Sequence, residues 1–277
     1  MNDLKNKNII VTGATGGIGN SIVKKLNELG ANLLATGTKV EKLEELRKNF
    51  RNIKTLRFDI SQSDTIETFI ENASKELDGN LDCVINNAGI TQDNLAIRMN
   101  LDEWKKVIDI NLTSTFLMCK FAIKKMLKNK NGKIINITSI AGYSGLPFRA
   151  AYSATKSALH MLTESLRLEL KPTNIQCCTL APGDVATNIS QGRYHVPVKK
   201  NSPYHAIYGA ARKDMDAHVD DGVSAKTVAI SINRLIQKNK LKPHYTVGPF
   251  LQRFSIYLKS YLPAKIYEFI LSKFYKI

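Results

Sequence analysis

The sequence predicts a single α/β domain: a doubly wound parallel sheet with helices on both faces. Three observations carry that reading. Short β-branched apolar runs alternate with stretches of helical periodicity along most of the 277 residues, as successive β-α units do. Several strand candidates are apolar almost throughout, as strands covered on both faces are. A glycine-rich turn, Thr12-Gly13-Ala14-Thr15-Gly16-Gly17-Ile18-Gly19, sits where the first strand candidate meets the first helix. That is where such a sheet cradles a phosphate.

In chain order, strands are expected at 8–12, 32–36, 53–59, 81–86, 133–139 and 174–180, with a seventh candidate at 244–248. Helices are expected at 18–29, 40–49, 64–77, 101–129, 151–171 and 224–239. No linker or repeat interrupts them, so residues 1–277 read as one domain. Residues 190–222 break the rhythm with Gly192, Pro197, Pro203, Gly209 and Gly222. They read as an irregular insert and candidate substrate lid. Residues 248–277 are apolar, aromatic and basic, and read as two short amphipathic helices broken at Pro263. Arg253, Lys259, Lys265, Lys273 and Lys276 face one acid there, Glu268. Such helices suit an anionic membrane; packing over the substrate mouth or a partner subunit is the alternative.

The chain is 43% hydrophobic and 23% charged, an ordinary globular composition and long enough to bury a core without disulfides or metal. Its net charge of +16 bears on partners. An acidic carrier protein and an anionic membrane both fit. Nucleic acid is not expected, because the lysines are dispersed and no nucleic-acid motif is visible. Cys83, Cys119, Cys177 and Cys178 lie in apolar runs without a C-x-x-C pair. They read as reduced core thiols, with no metal site. No apolar signal segment precedes the first strand, and no apolar stretch reaches the roughly 20 residues of a spanning helix. A cytoplasmic protein is expected, with association to a membrane through the tail as the alternative.

In the glycine turn, Gly13, Gly17 and Gly19 let the backbone around Thr15 and Ile18 approach a pyrophosphate at a helix N-terminus. This is the Rossmann-type arrangement. An acid ending the second strand would bind the ribose 2′-hydroxyl of NAD. The sequence there is Ala35-Thr36-Gly37-Thr38-Lys39. Thr38 can donate to a 2′-phosphate and Lys39 adds positive charge, so NADP(H) is favoured; Lys39 as a solvated helix-start residue is the alternative. Asp59, with Ile60, ends the third strand facing the adenine. Asn87, Ala88 and Gly89 follow the fourth, lining the crevice beyond the carboxyl ends of the strands.

Tyr152 and Lys156, four apart at the start of a helix, share one helix face. A nearby ammonium favours the phenolate, making the tyrosine a usable proton donor and acceptor. Ser139, thirteen residues before Tyr152, can orient a substrate carbonyl. Asn111, in the helix after the fourth strand, can hold water or backbone at the inner end of a proton relay. His160 and Trp104 read as packing residues, while His195, His205 and His218 lie in the candidate lid.

Together the motifs Thr12-Gly13-x-x-x-Gly17-x-Gly19, Asn86-Asn87-Ala88-Gly89, Asn111, Ser139, Tyr152-x-x-x-Lys156 and Pro182-Gly183 resemble the short-chain dehydrogenase/reductase family over essentially the first 250 residues. The resemblance implies a sheet order of 3-2-1-4-5-6-7 and a catalytic tetrad of Asn111, Ser139, Tyr152 and Lys156. It also implies that Lys156 binds the nicotinamide ribose, and that Pro182, Gly183 and Thr187 hold the carboxamide. Residues 1–140 resemble 3-oxoacyl-[acyl-carrier-protein] reductases, above all from Asn86 to Leu95 with Arg98-Met99. From Gly142 onward, Gly145-Leu146-Pro147-Phe148, Pro182-Gly183-Asp184 and the tail resemble dehydrogenases of lipophilic ketones or alcohols, of steroid or retinoid type. The resemblance thus implies a carbonyl reductase acting on an acyl thioester or on a free lipophilic ketone, working as a dimer or tetramer. A non-catalytic NADP-binding regulator on the same fold is the alternative of another class.

Overall fold

The computed structural model describes residues 4–50, 53–186, 194–195, 198–220 and 222–277. Seven strands form the sheet: β1 (Asn8–Val11), β2 (Asn32–Gly37), β3 (Ile53–Arg57), β4 (Cys83–Asn86), β5 (Gly132–Ile137), β6 (Ile175–Pro182) and β7 (His244–Val247). All pair in parallel, in the order β3-β2-β1-β4-β5-β6-β7, as expected.

Alternation along each strand explains why the strands are apolar throughout. Ile9, Val11, Leu33, Ala35, Ile85 and Ile135 point into one core, against α1 (Gly17–Glu28) and α8 (Ala225–Gln237). Their neighbours Ile10, Leu34, Val84 and Ile134 point into the other, against α3 (Ile66–Glu76), α5 (Ser114–Asn129) and α6 (Ala150–Glu169). With a core on each face, the central strands leave little room for polar residues to face water, whereas Lys54 and Arg57 are exposed on the edge strand β3. All four cysteines are free and buried in these cores. The helix α2 (Val40–Asn49) follows β2.

The stretch expected as one helix at 101–129 is α4 (Leu101–Ile108) joined to α5 by a π-helical turn, Asp109–Thr113. Asn100 caps α4, its side chain accepting from the Glu103 amide at 2.8 Å. Trp104, expected as a packing anchor, is instead 40% exposed. β3 ends at Arg57 and β5 at Ile137, so Asp59 and Ser139 lie just past the ends of their strands.

The insert at 190–222 is not irregular throughout. It contains α7 (His205–Asp220). Pro203 stands just ahead of that helix, and the Tyr208 hydroxyl donates to the Asp93 carbonyl at 2.9 Å. Two-residue parallel ladders pair Gln92–Asp93 with Tyr194–His195, and Val185–Ala186 with Val223–Ser224. The tail forms the two expected helices, α9 (Phe250–Tyr261) and α10 (Ala264–Tyr275), with Pro263 as the N-cap of the second. Among the described residues, no helix is long and apolar enough to cross a membrane.

Candidate active site

The nucleotide cradle is assembled at the carboxyl ends of β1, β2 and β4. The Thr12 hydroxyl accepts from the Asn87 and Ala88 amides, both at 3.0 Å. The Asn87 carboxamide donates back to the Thr12 and Gly13 carbonyls at 3.0 and 3.1 Å. The two loops are thus locked together. Gly13 has φ +63, and a Cβ there would lie 2.8 Å from the Ala88 Cα. A Cβ on Gly19 would overlap the Gly13 carbonyl and lie 2.8 Å from the Ala14 Cα. Glycine is required at both positions. α1 starts at Gly17 behind Gly16, with no side chain capping it. Its first amides are therefore left for a ligand, with Thr15 and Ile18 in the same turn. Thr15 packs on Gly37, where a Cβ would meet its Oγ1 at 2.7 Å. This backbone fits a dinucleotide pyrophosphate.

Thr38 and Lys39 are exposed beside that turn, with Lys39 at the N-cap of α2. The Asp59 carboxylate is partly engaged, accepting from the Ser61 amide and hydroxyl at 3.0 and 2.7 Å. Ile60 is buried, and its carbonyl accepts from the Ser114 hydroxyl at 2.6 Å. Pro182 ends β6, and the Gly183 amide donates to the Val247 carbonyl at 2.8 Å. Thr187 lies outside the described residues.

Two of the four tetrad residues converge on the Asn87-Ala88-Gly89 loop. A Cβ on Gly89 would lie 3.1 Å from the Asn111 Oδ1 and 3.6 Å from the Lys156 Nζ. Asn111 sits in the π-helical turn, fully buried, a local widening often found at functional sites. Its carboxamide clamps Ile90, accepting from the amide at 2.8 Å and donating to the carbonyl at 2.9 Å. The Lys156 ammonium donates to the Ile137 carbonyl at 3.0 Å and lies 5.7 Å from the centre of the Tyr152 ring. Burial alone pulls the Lys156 ammonium down from 10.5 to about 8. Ser139 follows β5, and its hydroxyl accepts from the Ala141 amide at 3.1 Å. The turn Ile140–Gly142 that it starts packs on α6, where a Gly142 Cβ would lie 2.8 Å from the Lys156 backbone.

Two supporting clusters were not legible in the sequence. Arg149, three residues before Tyr152, pairs with buried Asp93 at 2.8 Å, fixing the start of α6 to the loop after β4. Phe148, with φ +63, meets Tyr208 edge-on, ring centres 4.9 Å apart. Behind Ser139, His160 Nδ1 lies 3.1 Å from the Thr179 hydroxyl and 3.2 Å from His244 Nδ1. His244 Nε2 reaches Glu164 at 2.6 Å. His160 is thus more than a packing residue. Burial, and after it the neighbouring His244, pull it down to about 4. Burial, then Glu164, push Tyr143, whose ring lies tilted against it, up to about 12. Of the candidate lid histidines, His205 bonds to the Val198 carbonyl at 3.0 Å, and the side chains of His195 and His218 are not described. No cluster of metal-ligating side chains occurs among the described residues.

The short chain dehydrogenase family model matches residues 7–196. A 3-oxoacyl-[acyl-carrier-protein] reductase of Rickettsia conorii is 41% identical over 191 residues, covering 69% of this chain and 77% of the relative. That match runs beyond the 140 residues that resemble such reductases most. A short-chain dehydrogenase from Streptomyces avermitilis has the same fold (TM-score 0.80, 23% identity, 92% of each chain). So does a serine dehydrogenase complexed with NADP+ (TM-score 0.74, 23% identity, 88% of this chain and 95% of that one). The chain belongs to the short-chain dehydrogenase family. It is an oxidoreductase of that family.

Proposed function

We propose that the protein is an NADPH-dependent carbonyl reductase whose first candidate substrate is the 3-oxo group of an acyl thioester. The observation that carries the reading is the convergence of Gly89, Asn111, Lys156 and the Tyr152 ring at the carboxyl ends of β4 and β5. The choice of acyl thioester follows the reductase relative, and the basic surface suits an acidic carrier protein. The choice of NADPH follows Thr38 and Lys39, exposed at the end of β2 where no carboxylate would repel a 2′-phosphate.

When bound, the nicotinamide supplies hydride to the carbonyl carbon. The Ser139 hydroxyl donates a hydrogen bond to the carbonyl oxygen and orients it. The Tyr152 hydroxyl donates its proton to that oxygen as negative charge develops there. Lys156 favours the resulting phenolate and would bind the nicotinamide ribose. Asn111 holds the Ile90 backbone, which keeps the loop that floors the site in place. Gly13, Gly17, Gly19 and the first amides of α1 would hold the pyrophosphate, with Asp59 toward the adenine and Pro182-Gly183 toward the carboxamide.

A free lipophilic ketone is the second reading. It is favoured by the tail, which bonds to both rims of the site: Gln252 to Asp184 and Tyr267 to Ser144. We further propose a homo-oligomer, because Trp104, Phe116, Met161 and Leu168 leave apolar surface exposed on α4, α5 and α6. The test is oxidation of NADPH and NADH with a 3-oxoacyl thioester and with a panel of hydrophobic ketones. NADPH with the thioester is the expected pair. Preference for a ketone selects the second reading, and tight NADPH binding without turnover on any carbonyl selects a non-catalytic regulator.

A further inference from the structure

We propose that α9 and α10 form a docking platform that seats the mouth of the active site on an anionic lipid surface. A helix on the surface of a globular domain turns its apolar stripe toward the core. These two also keep apolar stripes outward. Tyr267 is buried and Ile256, Leu258, Leu262 and Leu271 are half-buried, while polar contacts tie the pair to the body. Gln252 accepts from the Asp184 amide at 2.9 Å, Lys259 reaches the Tyr143 carbonyl, and the Tyr267 hydroxyl meets that of Ser144 at 2.8 Å. On α9, Phe250, Phe254, Tyr257 and Tyr261 fall at i, i+4, i+7 and i+11, one stripe of four aromatic rings, and all are exposed, Tyr261 by 84%. On α10, Ile266, Phe269, Ile270 and Phe274 form a second exposed stripe. Two helices that both leave apolar stripes in water mark a binding surface.

Charge decides the occupant. Arg253, Lys265, Lys273 and Lys276 are exposed along the tail, with Glu268 as its one carboxylate. The Lys273 ammonium lies 5.6 Å from the centre of the Phe269 ring, so cation and aromatic share a face. A second copy of this surface would set cations against cations. Anionic headgroups complement them, while rings and aliphatic side chains enter the acyl boundary. Asp184 follows Pro182-Gly183, and Tyr143 and Ser144 lie in the loop leading to Tyr152, so the platform adjoins the rim through which substrate enters. On the second reading above, a lipophilic ketone dissolved in the bilayer would reach Tyr152 without crossing bulk water.

The test is flotation of the full-length protein, without substrate, on vesicles of phosphatidylcholine alone and of phosphatidylcholine with phosphatidylglycerol. Binding to the anionic vesicles is expected to be at least about tenfold tighter and to fall in high salt. Tyr261→Asp with Phe269→Asp should abolish it while leaving the melting temperature unchanged. Equal binding to both vesicle types, no binding, or binding that survives the double substitution would overturn the proposal. So would a dimer that the double substitution splits into monomers, which would assign the face to a second copy. Because the readout uses no substrate, failure on every ketone would leave a positive docking result standing.

Discussion

Replacing Lys156 by Met separates the two effects of this side chain. In the folded protein its buried ammonium titrates at about 8, against 10.5 for an unperturbed lysine. Between those values the unfolded chain holds more protons than the folded one, so stability rises with pH across the window. At about 1.4 kcal/mol per pH unit, the shift corresponds to ~3 kcal/mol. That penalty is present in full below the folded value and gone above 10.5. Lys156→Met removes it, while leaving the Ile137 carbonyl without its donor costs about 1–3 kcal/mol. The variant should therefore be no less stable than wild type at neutral pH, and its stability relative to wild type should fall by ~3 kcal/mol as pH rises through the window. Activity should move the other way. A unit charge 5.7 Å from the Tyr152 ring centre, at an effective dielectric constant of about 20, stabilises a phenolate by ~3 kcal/mol, or about two pH units. Turnover at neutral pH should fall about a hundredfold, and the pH–rate profile should shift up by about two units. Urea melts and turnover across the same pH range test both. Parallel stability curves, or an unshifted profile, would refute the reasoning.

Gly19→Ala places a methyl group against the Gly13 carbonyl and 2.8 Å from the Ala14 Cα, backbone that cannot rotate away. It should cost about 1–3 kcal/mol of stability and weaken NADPH binding more than tenfold, read by melting and by titration of the cofactor. His160 titrates at about 4 in the folded state against 6.5 unperturbed. The unfolded chain takes up its proton first as pH falls, so stability is intact above 6.5 and is lost between 6.5 and about 4. Melts through that range should be steeper for wild type than for His160→Gln, and coincident slopes would discard the assignment.

The sheet was legible because the cause of its pattern is local. Ile9 and Ile10 point to opposite faces, and both faces are covered, so β1 reads as continuous apolar sequence. The cradle was legible because Gly19 is demanded by backbone only five or six residues away, while Gly13 meets the loop after the adjacent strand β4. α7 was missed because Gly209 lies inside it and proline stands on its N-terminal side. Glycine costs a helix about 1 kcal/mol, and what offsets this is non-local: the bond from Tyr208 to Asp93, 115 residues away. The pairing of Arg149 with Asp93 and the contact of His160 with His244 span 56 and 84 residues, and no spacing rule encodes them. The tail's two stripes were legible, but which way they face was not. Periodicity places residues on one side of a helix, and only the contacts of Gln252, Lys259 and Tyr267 show which side docks.

The central claim is that Tyr152 transfers the proton. NADPH oxidation with a 3-oxoacyl thioester, or with the ketone preferred in the panel, should be followed for wild type and Tyr152→Phe, alongside NADPH affinity. The account predicts turnover reduced by at least about a hundredfold with cofactor affinity nearly unchanged. Turnover equal to wild type in Tyr152→Phe would contradict it.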